Sequence, residues 1–228
     1  MEAVVLAGGL GTRLQTLVRG VPKPMAPVGG RPFLEIVLTS LATKGFRRVI
    51  LSVGYLAEQI STHFGQGFRG ISLNYEVEES PLGTGGAVRA AFQRCDGDHA
   101  FVFNGDTYLD LEADEVERRW RTHHNPVIVG RAVADVSRYG ALRIESGQVR
   151  GFLEKGSTGP GLINAGCYLL PRDCLDSYPV GQPFSLEADF LSQAVERDRF
   201  DLFETRGLFI DIGVPEDYRR AQTLLAGR

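Results

Sequence analysis

Two aspartates stand where short apolar runs break into turns. Asp106 closes Phe101-Val-Phe-Asn-Gly-Asp106, and Asp211 lies within Leu208-Phe-Ile-Asp211-Ile-Gly213. Carboxylates at strand ends can converge across a crevice although they are distant in the chain. Such hard oxygen ligands suit Mg2+, whose remaining positions are filled by water and substrate phosphates. Either aspartate alone reads equally well as a solubilising loop residue. A second segment, Leu6-Ala-Gly-Gly-Leu-Gly-Thr-Arg13 followed by Pro22-Lys-Pro-Met-Ala-Pro27, brings the opposite charge. Its glycines let the backbone turn sharply, and successive N–H groups there could cradle phosphate oxygens. Arg13 adds a rigid fork of donors, and Lys23 a positive charge on a flexible stem. A purely structural strand-to-helix turn would account for the glycines, but less well for Arg13 or for the prolines flanking Lys23. The glycine loop and the acidic pair together favour metal-assisted phosphoryl chemistry.

Two other glycine-rich loops fit poorly. Gly9-Leu-Gly-Thr-Arg-Leu14 supplies the first two glycines of GxGxxG but has Leu14 where a dinucleotide site uses the third for close packing. That argues against a nicotinamide dehydrogenase. The Gly-Lys-Ser/Thr ending of a Walker-type loop is missing as well. Cys95, Cys167 and Cys174 form no CxxC pair and the histidines no HExxH array, so the thiols read as ordinary ones.

Placing these groups falls to an alternation of apolar runs and helical stripes. Strands are expected at Ala3–Leu6, Val49–Val53, Ser72–Val77 and Ala100–Asn104, with helices at Pro32–Lys44, Tyr55–Phe64 and Gly85–Cys95 between them. In the first helix Phe33, Leu34, Val37, Leu38 and Leu41 share one stripe, and Gly45 supplies a stop. This rhythm favours a mainly parallel sheet covered on both faces. Glu112–His124 reads as a surface helix in which Glu115 and Arg119, and Glu117 and Arg121, can pair for about 0.2–0.5 kcal/mol each. Beyond strand Val127–Arg131, Ser146-Gly147 suits a hairpin turn between Ala141–Glu145 and Gln148–Leu153. A strand at Leu162–Leu170, a helix at Glu187–Arg197, a strand near Leu208–Ile210 and a last helix from about Pro215 to Leu225 complete the pattern.

The 228 residues are 43% hydrophobic and 23% charged, ordinary values for a globular domain. A formal net charge of −3 gives no hint of a nucleic-acid binder. No stretch approaches the roughly 20 apolar residues that span a bilayer, and MEAVVLAGG lacks a secretory leader's basic start. The cytoplasm is the expected location.

LAGGLGTRL with the downstream PKPMAPVGGRPFLE resembles the sugar-1-phosphate nucleotidyltransferase family, and within it the guanylyltransferases acting on a heptose 1-phosphate. The likeness covers nearly the whole chain. It implies a Rossmann-like three-layer α/β/α fold with a mainly parallel mixed sheet, in one domain. Residues 1–110 would mainly bind nucleotide and residues 111–228 mainly the sugar phosphate. The resemblance further implies that Leu6, Ala7, Gly8, Gly9, Gly11, Thr12 and Arg13 bind the triphosphate with Lys23. By the same resemblance Glu78, Pro81, Leu82 and Gly83 would border the nucleobase, and Asn104 and Gly105 would lead to Asp106, which with Asp211 would hold catalytic magnesium. Gly83, Gly85 and Gly86 can permit close approach of a planar base, while Thr84 could equally cap the helix.

A sugar site needs groups that exchange directional hydrogen bonds with hydroxyls. Tyr139-Gly140, Glu154-Lys155 and Asn164-Ala-Gly166 offer them. By the resemblance Glu154 and Asn164 meet the sugar and Lys155 its phosphate, although Glu154 and Lys155 also read as a solvated pair. Glu187 and Asp189 could approach hydroxyls, but a helix start favours acidic residues anyway. The implied partners are GTP or another nucleoside triphosphate and a sugar 1-phosphate, a heptose 1-phosphate in the branch resembled. The implied cofactor is Mg2+; a homodimer is compatible, and neither nucleic acid nor membrane is implicated. Transfer from UTP or dTTP to a hexose 1-phosphate is the neighbouring alternative, and a noncatalytic nucleotide-sensing subunit the more distant one. The end at Arg228 leaves no room for the repeat-rich acyltransferase extension of some relatives.

Overall fold

Strand β1, Glu2–Leu6, shows how the sheet is built: Ala3 and Val5 point into one apolar layer and Val4 into another, all three fully buried. Side chains alternate across a strand, so a strand apolar at every position must be covered twice. The computed structural model describes residues 1–9, 18, 20–153, 156 and 158–228. After a 3₁₀ turn at Lys23–Met25 come the short pair β2 (Pro27–Val28) and β3 (Arg31–Pro32), then α1 (Phe33–Thr43) and β4 (Arg48–Val53). The chain continues through α2 (Ala57–Phe64), β5 (Gly67–Phe68), β6 (Ile71–Val77), α3 (Gly83–Phe92), β7 (His99–Asn104), β8 (Thr107–Leu109) and α4 (Ala113–His123). The later part holds β9 (Val127–Val133), β10 (Ala141–Glu145), β11 (Gln148–Leu153) and β12 (Gly161–Pro171). A π-helical turn at Leu186–Leu191 runs into α5 (Ser192–Arg197), followed by β13 (Asp201–Thr205), β14 (Phe209–Asp211) and α6 (Pro215–Leu224).

Ten strands form one sheet in the order β10-β11-β13-β9-β12-β7-β1-β4-β6-β5. Parallel pairing runs through β7, β1, β4 and β6 and recurs between β9 and β13, while β12 lies antiparallel to both β7 and β9. The sheet is mixed as expected, with its parallel strands concentrated in the first half of the chain. Helices α1, α2, α4 and α6 feed the apolar layer on one face; α3, the π-helical turn and α5 feed the other. From β1 the chain crosses through α1 to β4 on one side, and later returns through α3 to β7 on the opposite side. Such a reversal leaves a crevice outside the carboxyl ends of the strands, where open α/β sheets bind ligands.

Several local expectations meet their physical limits here. The hairpin β10–β11 turns at Ser146 and Gly147, both with positive φ (51° and 76°), as a two-residue turn requires. Glu117 and Arg121 pair, with a contact of 2.9 Å. Arg119, by contrast, donates to the carbonyl of Leu202, because β13 passes within its reach. The helix expected from Glu187 begins one residue earlier with a π-helical turn capped by Ser185, whose hydroxyl accepts from the Ala188 N–H at 3.1 Å. Strands β8 and β13 have no counterpart in the sequence reading. Their pairing partners, β14 and β9, lie far away in the chain.

Candidate active site

The carboxyl ends of the parallel strands open onto one cavity of about 790 Å3, a size ordinary for small-ligand sites. Leu6, Gly8 and Gly9 come from the end of β1, Gly54 and Tyr55 from that of β4, Glu78 to Pro81 from that of β6, and Asn104 to Asp106 from that of β7. Lys23, Pro24, Gly213 and, from α3, Gly83, Thr84 and Ala87 complete the lining. Glycine is required where these loops touch. A Cβ on Gly105 would run into the carbonyl oxygen of Leu6, to which the Gly105 N–H donates at 3.0 Å. A Cβ on Gly8 would stand 2.6 Å from Glu78 Oε1.

Glu78 ties the parts together. Its Oε1 accepts from the Ser52 hydroxyl at 3.0 Å and its Oε2 from the Leu82 N–H at 3.1 Å, joining β4 to the start of α3. Ala7 and Leu82, expected at the nucleotide, are buried and do not line this cavity.

Asp106 and Asp211 are brought together by the small β8–β14 sheet. Its register sets Thr107 opposite Asp211, and the Ile212 N–H donates to the Asp106 carbonyl at 2.8 Å. Lys23 Nζ lies 2.5 Å from Asp106 Oδ2, with the two side chains 11% and 33% exposed. Burial, and then the charge of Asp106, push the Asp211 carboxyl above its usual range; the Gly213 N–H, 2.5 Å from Oδ1, and the Lys23 charge pull the other way. A cation between the two carboxylates would relieve this crowding. Among the described residues no three His, Cys, Asp or Glu side chains cluster as a metal site. A metal held here would therefore rest on two carboxylates, with water and phosphate oxygens completing its shell. Mg2+ commonly binds in that way, so the residues present fit it.

Of the residues expected around the sugar, Tyr139, Gly140, Asn164 and Glu187 lie outside this cavity's lining. Tyr139 packs edge-on against Phe209 with ring centroids 6.0 Å apart, and the Gly140 carbonyl accepts from the Asn164 N–H at 3.4 Å. Asn164 and Glu187 are joined through Tyr168. Gly11, Thr12, Arg13, Glu154 and Lys155 lie outside the described residues.

Two expectations change. Gly85 and Gly86 make room for the segment Gln182–Phe184 and not for a base: both N–H groups donate to the Phe184 carbonyl, at 2.9 and 3.4 Å, and a Cβ on Gly86 would meet Gln182 O at 2.6 Å. Thr84 does not cap α3; its hydroxyl donates to Glu187 and accepts from the Leu186 N–H. Asp189 Oδ2 accepts from the Ser185 N–H at 2.7 Å, closing the start of the π-helical turn. Ser52 and Tyr168 were missed. Each is a fully buried polar group inside an apolar strand, which is the available signal, since such groups need partners.

Fold and cavity define an α/β protein with a ligand-sized cavity at the ends of its parallel strands, lined by Lys23 and Asp106, with Asp211 close to both. The chain belongs to the nucleotidyl transferase family, whose model matches residues 2–227. The D-glycero-α-D-manno-heptose 1-phosphate guanylyltransferase of Aneurinibacillus thermoaerophilus is 39% identical over 223 residues, 97% of either chain. Its counterpart in Campylobacter jejuni is 37% identical over 220 residues, 96% of this chain and 97% of the relative. HddC from Yersinia pseudotuberculosis shares the fold with a TM-score of 0.88 at 38% identity, covering 97% of each chain, and its complex with GMP-PN matches at 0.87.

Proposed function

We propose that this chain transfers a guanylyl group from GTP to D-glycero-α-D-manno-heptose 1-phosphate, forming GDP-heptose and pyrophosphate. The observation that carries the chemistry is that Lys23 and Asp106 line the strand-end cavity in contact with each other, with the Asp211 carboxyl near enough to feel both charges. The choice of substrates rests on the heptose guanylyltransferases that the chain resembles over nearly its full length.

An oxygen of the sugar 1-phosphate attacks the α-phosphorus of GTP, the bond from that phosphorus to the leaving oxygen breaks, and pyrophosphate departs in line. The attacking phosphate is already ionised near neutrality, so no protein base is required. The side chains align the reactants and offset negative charge. Lys23 and Arg13 restrain the triphosphate, while Lys155 draws the second phosphate toward it. Glu154, Asn164, Glu187 and the Tyr139-Gly140 turn receive the sugar. Asp106 and Asp211 would hold Mg2+, which when bound neutralises phosphate charge. In this reading residues 1–110 serve mainly the nucleotide and residues 111–228 mainly the sugar phosphate. No helix among the described residues is long and apolar enough to cross a membrane, and we place the reaction in the cytoplasm, where nucleoside triphosphates are supplied.

The test is pyrophosphate release from GTP, ATP, UTP and dTTP, each paired with heptose and hexose 1-phosphates in the presence of Mg2+. GTP with the heptose phosphate should dominate. Preferential release from UTP or dTTP with a hexose phosphate would contradict the substrate assignment, and no release from any pair would contradict the enzyme assignment.

A further inference from the structure

A chain of side-chain hydrogen bonds links β12, the π-helical turn and the start of α3. Asn164 Nδ2 donates to the Tyr168 hydroxyl at 2.6 Å, Tyr168 donates to Glu187 Oε1 at 3.0 Å, and Thr84 donates to Glu187 Oε2 at 3.1 Å. Thr84 in turn accepts from the Leu186 N–H at 2.8 Å. Both ends of the chain reach the cavity wall. Thr84 lines it directly. At the other end Asn164 Oδ1 accepts from the Gly166 N–H, and Gly166 packs so closely on the cavity residue Asn104 that a Cβ would come within 2.7 Å of Asn104 Nδ2.

Tyr168 is the middle of this chain and is 0% exposed. A buried hydroxyl that touches no solvent and does not line the strand-end cavity acts through the groups it holds. Those groups keep capacity to spare: Asn164 has a second amide N–H, and each Glu187 oxygen has a further lone pair, with no other partner among the described residues. A fixed donor beside a fixed acceptor matches sugar hydroxyls, which both give and take hydrogen bonds. Glu187 also sits in the π-helical turn, and wide turns of that kind recur at functional sites.

We propose that Tyr168 is a positioning residue: its hydroxyl holds Asn164 and Glu187 as a donor–acceptor pair for the hydroxyls of the sugar phosphate and braces that pair against Thr84 in the wall of the nucleotide cavity. This rests on the reaction proposed above. Among the described residues, removing the hydroxyl leaves the Glu187 carboxylate held by Thr84 alone and the Asn164 side chain by the Gly166 N–H alone, which loosens both and weakens sugar capture but leaves the strand ends that would hold nucleotide in place.

Tyr168→Phe keeps the ring and its packing, so it isolates the hydroxyl. The KM for heptose 1-phosphate should rise roughly ten-fold, as expected for a misdirected hydrogen bond to a charged group. The Kd for GTP, measured by calorimetry without sugar phosphate, should stay within about two-fold. Glu187→Gln should weaken the sugar phosphate similarly, and the double variant by less than the product of the two, because the residues act as one unit. An unchanged KM in Tyr168→Phe would overturn the proposal. Equal weakening of both substrates with a lowered Tm would also overturn it, marking the hydroxyl as support for the fold alone. A wild-type protein that turns over no substrate pair would refute the reaction instead. The positioning role would still be refuted separately by a crystal structure of Tyr168→Phe in which Asn164 and Glu187 keep their wild-type rotamers.

Discussion

Lys23→Met removes the one cation that the described structure places against Asp106. Methionine keeps most of the apolar stem, so the comparison isolates charge. The lost contact is 2.5 Å long, from a lysine 11% exposed to an aspartate 33% exposed. A hydrogen bond between charged groups contributes about 1.5–3 kcal/mol, and water reaching a third of Asp106 screens it toward the low end or below. The fold should therefore lose about 1 kcal/mol, which is a shift of roughly 2–4 °C in Tm at this chain length. The reaction should lose far more. A preorganised charge facing a reacting phosphate contributes about 2.7–4 kcal/mol, or roughly a hundred- to a thousand-fold in kcat. Removing Lys23 also withdraws one of the two influences that hold down the Asp211 carboxyl, so two crowded acidic groups are left without their nearest cation. Pyrophosphate-release kinetics with GTP, alongside thermal denaturation, separates the two effects. A kcat/KM within ten-fold of wild type in a folded Lys23→Met protein would refute the reasoning.

Two predictions concern the scaffold. Gly105→Ala sets a Cβ against the Leu6 carbonyl where the β1 and β7 loops meet, an overpacking cost of about 1–3 kcal/mol that should lower Tm by roughly 2–12 °C; an unchanged melting curve would show that the loops part freely. Burial pulls the His99 imidazole down, but hydrogen bonds to Glu117 (3.0 Å) and Asp98 (2.5 Å) outweigh it and raise the pKa. Its contribution to stability is then complete below the ordinary histidine value of about 6.5 and is lost as pH rises through the folded value. His99→Gln should flatten that part of the stability–pH profile in urea titrations, and parallel profiles for the two proteins would contradict the assignment.

What could be read from the sequence depended on whether its signal was local. The hairpin β10–β11 has the bounds expected, because Ser146-Gly147 can take the two positive φ angles that its turn demands. Helix α1 begins one residue later and ends one earlier than expected, since an apolar stripe and Gly45, at φ 83°, define it from within. Strand β8 is three residues long and exists because β14 pairs with it, so nothing in Thr107–Leu109 announces it. Yet that pairing is what brings Asp106 to Asp211. The glycines of α3 illustrate the converse: Gly85 and Gly86 look as if they admit a ligand, but the space is filled by Phe184 and its neighbours. Thr84 and Tyr168 show no role until the π-helical turn is placed across α3.

The shared carboxylate site is tested most directly by anomalous diffraction from crystals grown with GTP and Mn2+ in place of Mg2+. One ion should lie between Asp106 and Asp211, bonded to both carboxylates at about 2.0–2.2 Å with phosphate oxygens in its shell. A well-ordered nucleotide whose ion touches neither aspartate would contradict the assignment.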